Sequence, residues 1–132
     1  MGTTSPSVRL ASDSSVDGLD RSSRYSSEYG TDTPVEDVSP IACYYASVTR
    51  RLKDGSTFFP AQKMTRMQAL RSYTVENAYA AFEENLKGTI EVGKLGDITI
   101  LSQDILTVPD DKLLQTQVEY TIVGGKVVYQ RK

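Results

Sequence analysis

One acidic residue that could take part in catalysis is Asp32, in the segment Gly30-Thr31-Asp32-Thr33-Pro34. A carboxylate in a turn-prone segment can bind a metal ion or transfer a proton, or it can accept the backbone N–H bonds that hold the turn. The local sequence favours the structural role. Asp-Thr also begins the catalytic triplet of aspartic proteases, but that triplet ends in glycine and Pro34 excludes it.

The composition restricts the catalytic and metal-binding groups that the chain can supply. The 132 residues include no histidine and one cysteine, Cys43. These counts exclude a Ser-His-Asp or Cys-His catalytic set, a histidine-rich zinc site and an all-cysteine zinc site. Catalysis by this chain alone would have to use carboxylates, lysines, tyrosines or hydroxyls. Cys43 lies off the apolar face of its predicted helix, which favours a small structural residue over a nucleophile.

Other polar residues fit structural roles better than chemical ones. Lys94 and Asp97 flank glycines, a pattern that could suggest phosphate binding, but neither P-loop spacing nor a following helix is present. Asp97 is expected to fix the backbone of the turn instead. Tyr73 and Tyr79 are expected to pack rather than to act as catalytic phenols.

Length and charge indicate one domain of modest size. Hydrophobic residues make up 39% of the chain and charged residues 24%, and the net charge is −2. This near-balance argues against nucleic acid as the main partner. No apolar run approaches the roughly 18 residues of a membrane span. The N-terminus lacks the apolar segment of a secretory signal and Cys43 suits a reducing compartment, so we expect a cytoplasmic location.

Residues 1–28 are predicted to form a disordered, serine-rich tail. They are rich in Ser, Thr, Asp and Gly, and their apolar residues follow no sustained period. Residues 13–20 have the spacing of the first half of an EF-hand loop, but Arg24 stands where the bidentate glutamate is required. A solvated tail is therefore expected rather than a calcium site.

The first predicted helix spans about residues 40–52. Ser39 is suited to the N-cap and Pro40 to the first helical position. Its inward face is predicted from four apolar residues at helical spacing: Ile41, Tyr45, Val48 and Leu52. Three cations are expected to complement the dipole of its last turn: Arg50, Arg51 and Lys53.

Two further helices are predicted over about 65–72 and 75–83, with a bend at Tyr73-Thr74. Thr65 and Gln68 form a capping box at the start of the earlier one. In the later helix, three residues are expected to face inward: Ala78, Ala81 and Phe82.

At least four strands are predicted after the helices, beginning with Thr89–Val92 and Ile98–Leu101. The alternation over 89–92 and the glycines Gly93 and Gly96 predict a strand, a tight turn and a more deeply buried strand. This central stretch, 87–101, is expected to organise the packing. Residues 118–123 alternate cleanly, and Gly124-Gly125 predicts a two-residue hairpin to the last strand.

These elements, in this order, resemble the C-terminal portion of the amidohydrolase superfamily, in the amidohydrolase family 3 branch of N-substituted formamide deformylase-like enzymes. The resemblance covers about residues 29–130. It rests on five blocks in the order of the family: residues 30–35, 47–50, 69–74, 87–97 and 123–129. Gly96 stands where alanine is expected.

The resemblance implies an α+β fragment of a metal-dependent hydrolase. Residues 29–85 would form the last βα segment and the helices of a (β/α)₈ barrel, and residues 86–132 would form strands of a small composite β-sandwich. Asp32 matches the aspartate that binds the metal and transfers the proton of the attacking water. The cofactor implied for a complete member is a divalent metal, zinc, and the substrate is a small molecule with a non-peptide carbon–nitrogen amide bond.

The other metal ligands of the family lie upstream of anything in this chain, and a complete barrel needs about 200 residues. The isolated chain is therefore expected to bind no metal and to be inactive. A non-catalytic β-rich interaction or structural module derived from such an enzyme is the alternative. An orphaned fragment would expose apolar surface through which copies of the chain could associate, whereas a module would fold cooperatively and have a defined partner.

Overall fold

The structure is a computed structural model that describes residues 38–52 and 54–132. Short helices come first and an antiparallel sheet follows, so the α+β class predicted from the sequence is confirmed. None of the helices in these two ranges is long and apolar enough to cross a membrane. The elements in chain order are α1 (Pro40–Thr49), a 3₁₀ helix (Pro60–Gln62), α2 (Arg66–Tyr73), α3 (Val75–Ala80), β1 (Ile98–Leu101), a 3₁₀ helix (Asp110–Gln115), β2 (Val118–Val123) and β3 (Lys126–Gln130).

Helix α1 begins as predicted but ends earlier, at Thr49 instead of about residue 52. The Ser39 hydroxyl accepts a hydrogen bond from the Ala42 N–H at 3.2 Å. Arg50 adopts a left-handed conformation (φ 55°), which stops the helix, and its Nε donates to the Phe58 carbonyl at 3.0 Å. The predicted role of the arginines in the last helical turn is therefore wrong, because Arg50 serves the C-cap and the following loop.

The inward face of α1 also differs from the prediction. Tyr44 and Val48 are buried, whereas Leu52 lies beyond the helix end and is exposed. Two buried hydroxyls find partners one turn back, since Ser47 Oγ donates to the Cys43 carbonyl at 2.9 Å and Thr49 Oγ1 to the Tyr45 carbonyl at 2.8 Å.

Helix α2 carries the predicted capping box, in which the side chains of Thr65 and Gln68 each accept a bond from the other residue's backbone N–H. The chain bends at Thr74, and α3 ends at Ala80 rather than at about residue 83. Phe82 then takes a positive φ of 58° and is 91% exposed, so its predicted inward position is wrong. Tyr79 is also exposed and does not pack as expected.

The sheet has three strands in the order β1-β2-β3, so the prediction of at least four strands is wrong for the described part of the chain. Residues 89–92 form no strand: the Lys94 N–H donates to the Glu91 carbonyl in a turn, and Val92 is fully exposed. The Gly124-Gly125 hairpin is present, and both glycines have positive φ (56° and 75°), as a turn matching the strand twist requires.

The core lies between α1, α2 and the segment that follows β1, rather than around the 87–101 stretch. Its buried members are Tyr44, Val48, Ala69, Ile105 and Leu113. By contrast, every residue of β3 is exposed. The central stretch therefore does not organise the packing as the sequence suggested.

The division into 1–28, 29–85 and 86–132 stays a prediction. The serine-rich tail, including the rejected calcium loop, lies outside the described residues.

Candidate functional site

The one site residue that the sequence singled out, Asp32, lies outside the described residues. The candidate site is instead built from what residues 38–52 and 54–132 bring together.

Metal ligands are the first requirement that the family resemblance sets. Nowhere in these two ranges do three residues among His, Cys, Asp and Glu come close enough to hold a metal ion. The whole chain also lacks histidine. The described residues therefore do not fit a metal centre by themselves.

A polar cluster around Tyr44 and Arg66 joins the helices to the segment after β1. The Tyr44 hydroxyl lies 3.0 Å from the Arg66 carbonyl and 3.3 Å from the Ile105 carbonyl, and these two acceptors share its single proton. The Arg66 guanidinium donates from Nη1 to the same Ile105 carbonyl at 2.5 Å. Its Nη2 forms an ion pair with Asp110 Oδ1, also at 2.5 Å. One carbonyl thus receives donors from two helices.

This cluster has a structural role, because it connects the two helices to the segment after β1; the Tyr44 and Arg66 contacts are called the joint below. Burial raises the pKa of Tyr44 to about 12, although the nearby Arg66 charge acts in the opposite direction. The phenol is therefore a neutral hydrogen-bond donor at physiological pH rather than an acid or base. Sequence reasoning missed Tyr44 because the apolar period of α1 favoured its neighbour Tyr45. The pairing of Arg66 with Asp110 spans 44 residues and leaves no local sequence signal.

The polar residues around the 87–101 stretch have structural roles, although Asp97 binds a different turn from the predicted one. Lys94 Nζ donates at 2.7 Å to both the Glu84 carbonyl and Thr89 Oγ1, and lies 3.4 Å from Glu91. Asp97 Oδ1 accepts the Gly124 N–H at 2.8 Å, which ties the start of β1 to the hairpin turn. Neither side chain is arranged around an open anion site.

A mostly apolar cavity of about 940 Å³ lies between the helices and the sheet. Ile41 and Leu70 line its helical side, and Ile98 and Ile122 line its sheet side. Its size is in the range of ligand pockets. Asp97 and Lys87, two of its charged lining residues, are already engaged, Lys87 in an ion pair with Glu83. The cavity is thus mainly apolar, and these two charged side chains are held by partners within the fold.

Comparison with known proteins identifies the family. A model of the amidohydrolase family matches residues 28–129, which include all three helices, β1, β2 and all but the last residue of β3. The chain belongs to the amidohydrolase family. The resemblance drawn from the sequence blocks is confirmed.

The amidohydrolase relatives are much longer than this chain. It is 31% identical over 101 residues to N-substituted formamide deformylase of Arthrobacter pascens, covering 76% of this chain and 19% of that enzyme. It is 30% identical over 93 residues to imidazolonepropionase of Porphyromonas gingivalis, covering 70% and 21%. A solved amidohydrolase from Thermotoga maritima aligns with a TM-score of 0.42 and 22% identity, covering 79% of this chain and 30% of that one. The chain thus spans about a fifth of the curated relatives.

Proposed function

We propose that this chain is the C-terminal part of a metal-dependent amidohydrolase that acts on non-peptide carbon–nitrogen bonds, and that the isolated chain is inactive. The family match over residues 28–129 is the observation that supports this origin from an amidohydrolase. The names of the relatives, a formamide deformylase and an imidazolonepropionase, support a small-molecule substrate with such a bond.

In a complete enzyme, residues 29–85 would contribute the last βα segment and the helices of a (β/α)₈ barrel, and residues 86–132 would contribute strands of a composite β-sandwich. Two observations support this assignment. The helices enclose a small core, and the outer strand of the sheet is exposed on both faces. Both are expected of a piece whose neighbouring layers are supplied by other residues.

Asp32 is the residue that we propose for the metal site of the complete enzyme, as a zinc ligand and proton carrier. The resemblance of residues 30–35 to the family supports this role. The described residues contain no group of three His, Cys, Asp or Glu side chains that could form a metal site without Asp32. Inactivity of the isolated chain is proposed because a lone carboxylate neither fixes a catalytic metal nor replaces the missing ligands.

The proposal of inactivity can be tested with the purified 132-residue chain. Hydrolysis of N-substituted formamides and related amides is measured with and without added zinc, beside Asp32→Asn and the control Asp111→Asn, whose carboxylate is exposed. We expect no turnover above the buffer rate in any sample. Zinc-dependent turnover that is lost in Asp32→Asn and kept in Asp111→Asn would overturn the proposal and establish Asp32 as catalytic.

The second candidate is a non-catalytic interaction or structural module, and the exposed apolar strand β3 is the observation that favours it. A module would unfold cooperatively and have a defined partner, whereas an orphaned part of a barrel would melt over a broad range and bind apolar dyes. Thermal unfolding followed by circular dichroism, together with dye binding, separates the two. We also propose a cytoplasmic location, since the half-buried thiol of Cys43 suits a reducing compartment.

A further inference from the structure

The apolar cavity between the helices and the sheet lies next to the start of α1. The first two residues of α1, Pro40 and Ile41, line it. Strand β1 lines another side, and among the described residues β1 pairs with a single strand, β2. An apolar wall beside an open strand edge suits an extended segment that is apolar on one face.

Residues 29–37 come directly before the described part of the chain and can reach this cavity. Val35 precedes Pro40 by five positions, and five extended residues span at most about 18 Å. A segment joined by so short a connection is present at the cavity at an effective concentration on the order of millimolar. It therefore has an advantage over any separate molecule in binding there.

The sequence of residues 29–37 alternates with a period of two, as in an extended segment with one covered face. One face combines aromatic and β-branched residues: Tyr29, Thr31, Thr33 and Val35. Pro34 favours an extended conformation at the residue before it. The opposite face carries Asp32 and Glu36, carboxylates whose burial against an apolar wall would be costly. The face that includes Val35 is thus the one that suits the cavity.

We propose that residues 29–37 bind in this cavity, with Tyr29 and Val35 against its apolar wall and Asp32 on the open side. Binding of the segment fixes the position of Asp32 relative to α1 and β1. The importance of that position for catalysis rests on the proposed function, whereas the binding itself is a property of this chain and requires no activity.

A single introduced tryptophan tests the proposal, because the chain contains no tryptophan of its own. In the full 132-residue chain, Val35→Trp is compared with Val16→Trp, a matched valine of the predicted serine-rich tail. We expect Val35→Trp to emit at a shorter wavelength and to be quenched several-fold less by acrylamide. Glu36→Trp, on the opposite face, should be quenched more than Val35→Trp. Tyr29→Trp exchanges one aromatic ring for another and repeats the comparison with less change in volume.

The cavity wall is tested by adding a charge to it in the Val35→Trp chain. Met67 lines the cavity on α2 and is 40% exposed, so Met67→Asp places a carboxylate there without burying it fully. Thr99→Asp does the same on β1. Both changes should raise the quenching towards the Val16→Trp level. The control is Leu114→Asp, at an exposed leucine of the 3₁₀ helix Asp110–Gln115, and it should leave the quenching unchanged.

The proposal would be overturned if Val35→Trp and Tyr29→Trp were both quenched as strongly as Val16→Trp. It would also be overturned if neither wall variant changed the quenching, or if Leu114→Asp changed it equally, in chains whose circular dichroism matches that of the wild type. Protection that grows with protein concentration would contradict it as well, because a second copy would then fill the cavity. None of these results bears on the family or on hydrolysis, since fluorescence requires no activity.

Discussion

Two regions of the molecule are rich in apolar residues but differ in burial. One is the corner where α1 and α2 meet the 3₁₀ helix Asp110–Gln115, and the other is the outer strand β3. In the corner, Tyr44, Ala69 and Leu113 are buried and the polar atoms of the joint have partners. In β3 the apolar side chains face solvent. The chain thus supplies its own packing partners at the corner but not at the edge of the sheet.

Because of this difference, we expect most of the stability of the isolated chain to come from the corner. Free energy gained by burial scales with apolar area removed from water, so the corner should dominate and β3 should contribute little. Substitutions in the corner should therefore move the unfolding midpoint strongly, and their exposed counterparts should not.

The largest expected effect comes from two adjacent leucines. Leu113 is 0% exposed and Leu114 is 54% exposed. Leu113→Ala removes buried volume and leaves a cavity, so we expect a loss of about 2–5 kcal/mol in the free energy of unfolding. Leu114→Ala should change it by less than about 0.5 kcal/mol. Urea unfolding followed by circular dichroism measures both, and equal effects would contradict the placement of the core.

A second loss of stability is expected from a substitution at Gly88, which lies in the loop after α3 and packs against that helix. Its φ is +97°, and a Cβ added there would lie 2.8 Å from the Ala78 Cβ and 3.3 Å from the Thr74 carbonyl. Gly88→Ala should therefore destabilise the chain by more than about 1 kcal/mol.

The control for Gly88→Ala is Gly96→Ala. Gly96 has no positive φ, and its added Cβ would make ordinary contact with Gly125 at 3.5 Å. This substitution should be neutral or stabilising by about 0.4–1 kcal/mol, since alanine restricts the unfolded chain. A clear destabilisation at Gly96 would show that β1 and the hairpin turn approach more closely than the structure gives.

The third prediction compares two arginines. Arg66 joins α2 to the Ile105 carbonyl and to Asp110, whereas Arg131, whose side chain is more exposed than that of Arg66, pairs with Glu119. Arg66→Ala should cost about 1–2 kcal/mol, because a carbonyl and a carboxylate lose a charged donor, discounted for partial exposure. Arg131→Ala should cost less than about 1 kcal/mol. The reverse order of unfolding midpoints would mean that the joint does not connect the two segments.

The comparison also explains how much the sequence could predict. Local signals were sufficient for the Ser39 cap, the Thr65–Gln68 capping box and the Gly-Gly hairpin, because the interacting atoms are close in sequence. The family was found from five short blocks. Alternation over 89–92 failed as a strand signal because a strand needs a partner, and the described structure gives it none.

Long-range features could not be predicted in this way. The Tyr44 and Arg66 joint connects residues 22, 39, 44 and 61 positions apart, and nothing in the intervening sequence marks the pairing. The early end of α1 depends on Arg50 bonding the Phe58 carbonyl across a loop. For Asp32, neither local sequence signals nor the described structure suggests a catalytic role, and the proposed role rests on the resemblance to the family alone.

The smallest expected effect belongs to Tyr44, and it has a characteristic pH dependence. Tyr44→Phe should cost about 1 kcal/mol at neutral pH, because the Arg66 and Ile105 carbonyls lose the hydroxyl donor. In the wild type the folded pKa of about 12 exceeds the ordinary value of 10.0, so the folded state retains a proton that the unfolded state loses. The stability linked to this proton is fully present below pH 10 and declines between pH 10 and 12.

Urea midpoints measured from pH 8 to pH 11 test this linkage. The alkaline decline should be smaller in Tyr44→Phe, which has no proton to lose, than in the wild type. Tyr79→Phe, which alters an exposed ring, should keep the wild-type decline. If Tyr44→Phe and wild type decline equally, the buried hydroxyl is not the source of the alkaline sensitivity, and the corner is held together by its apolar contacts and Arg66 alone.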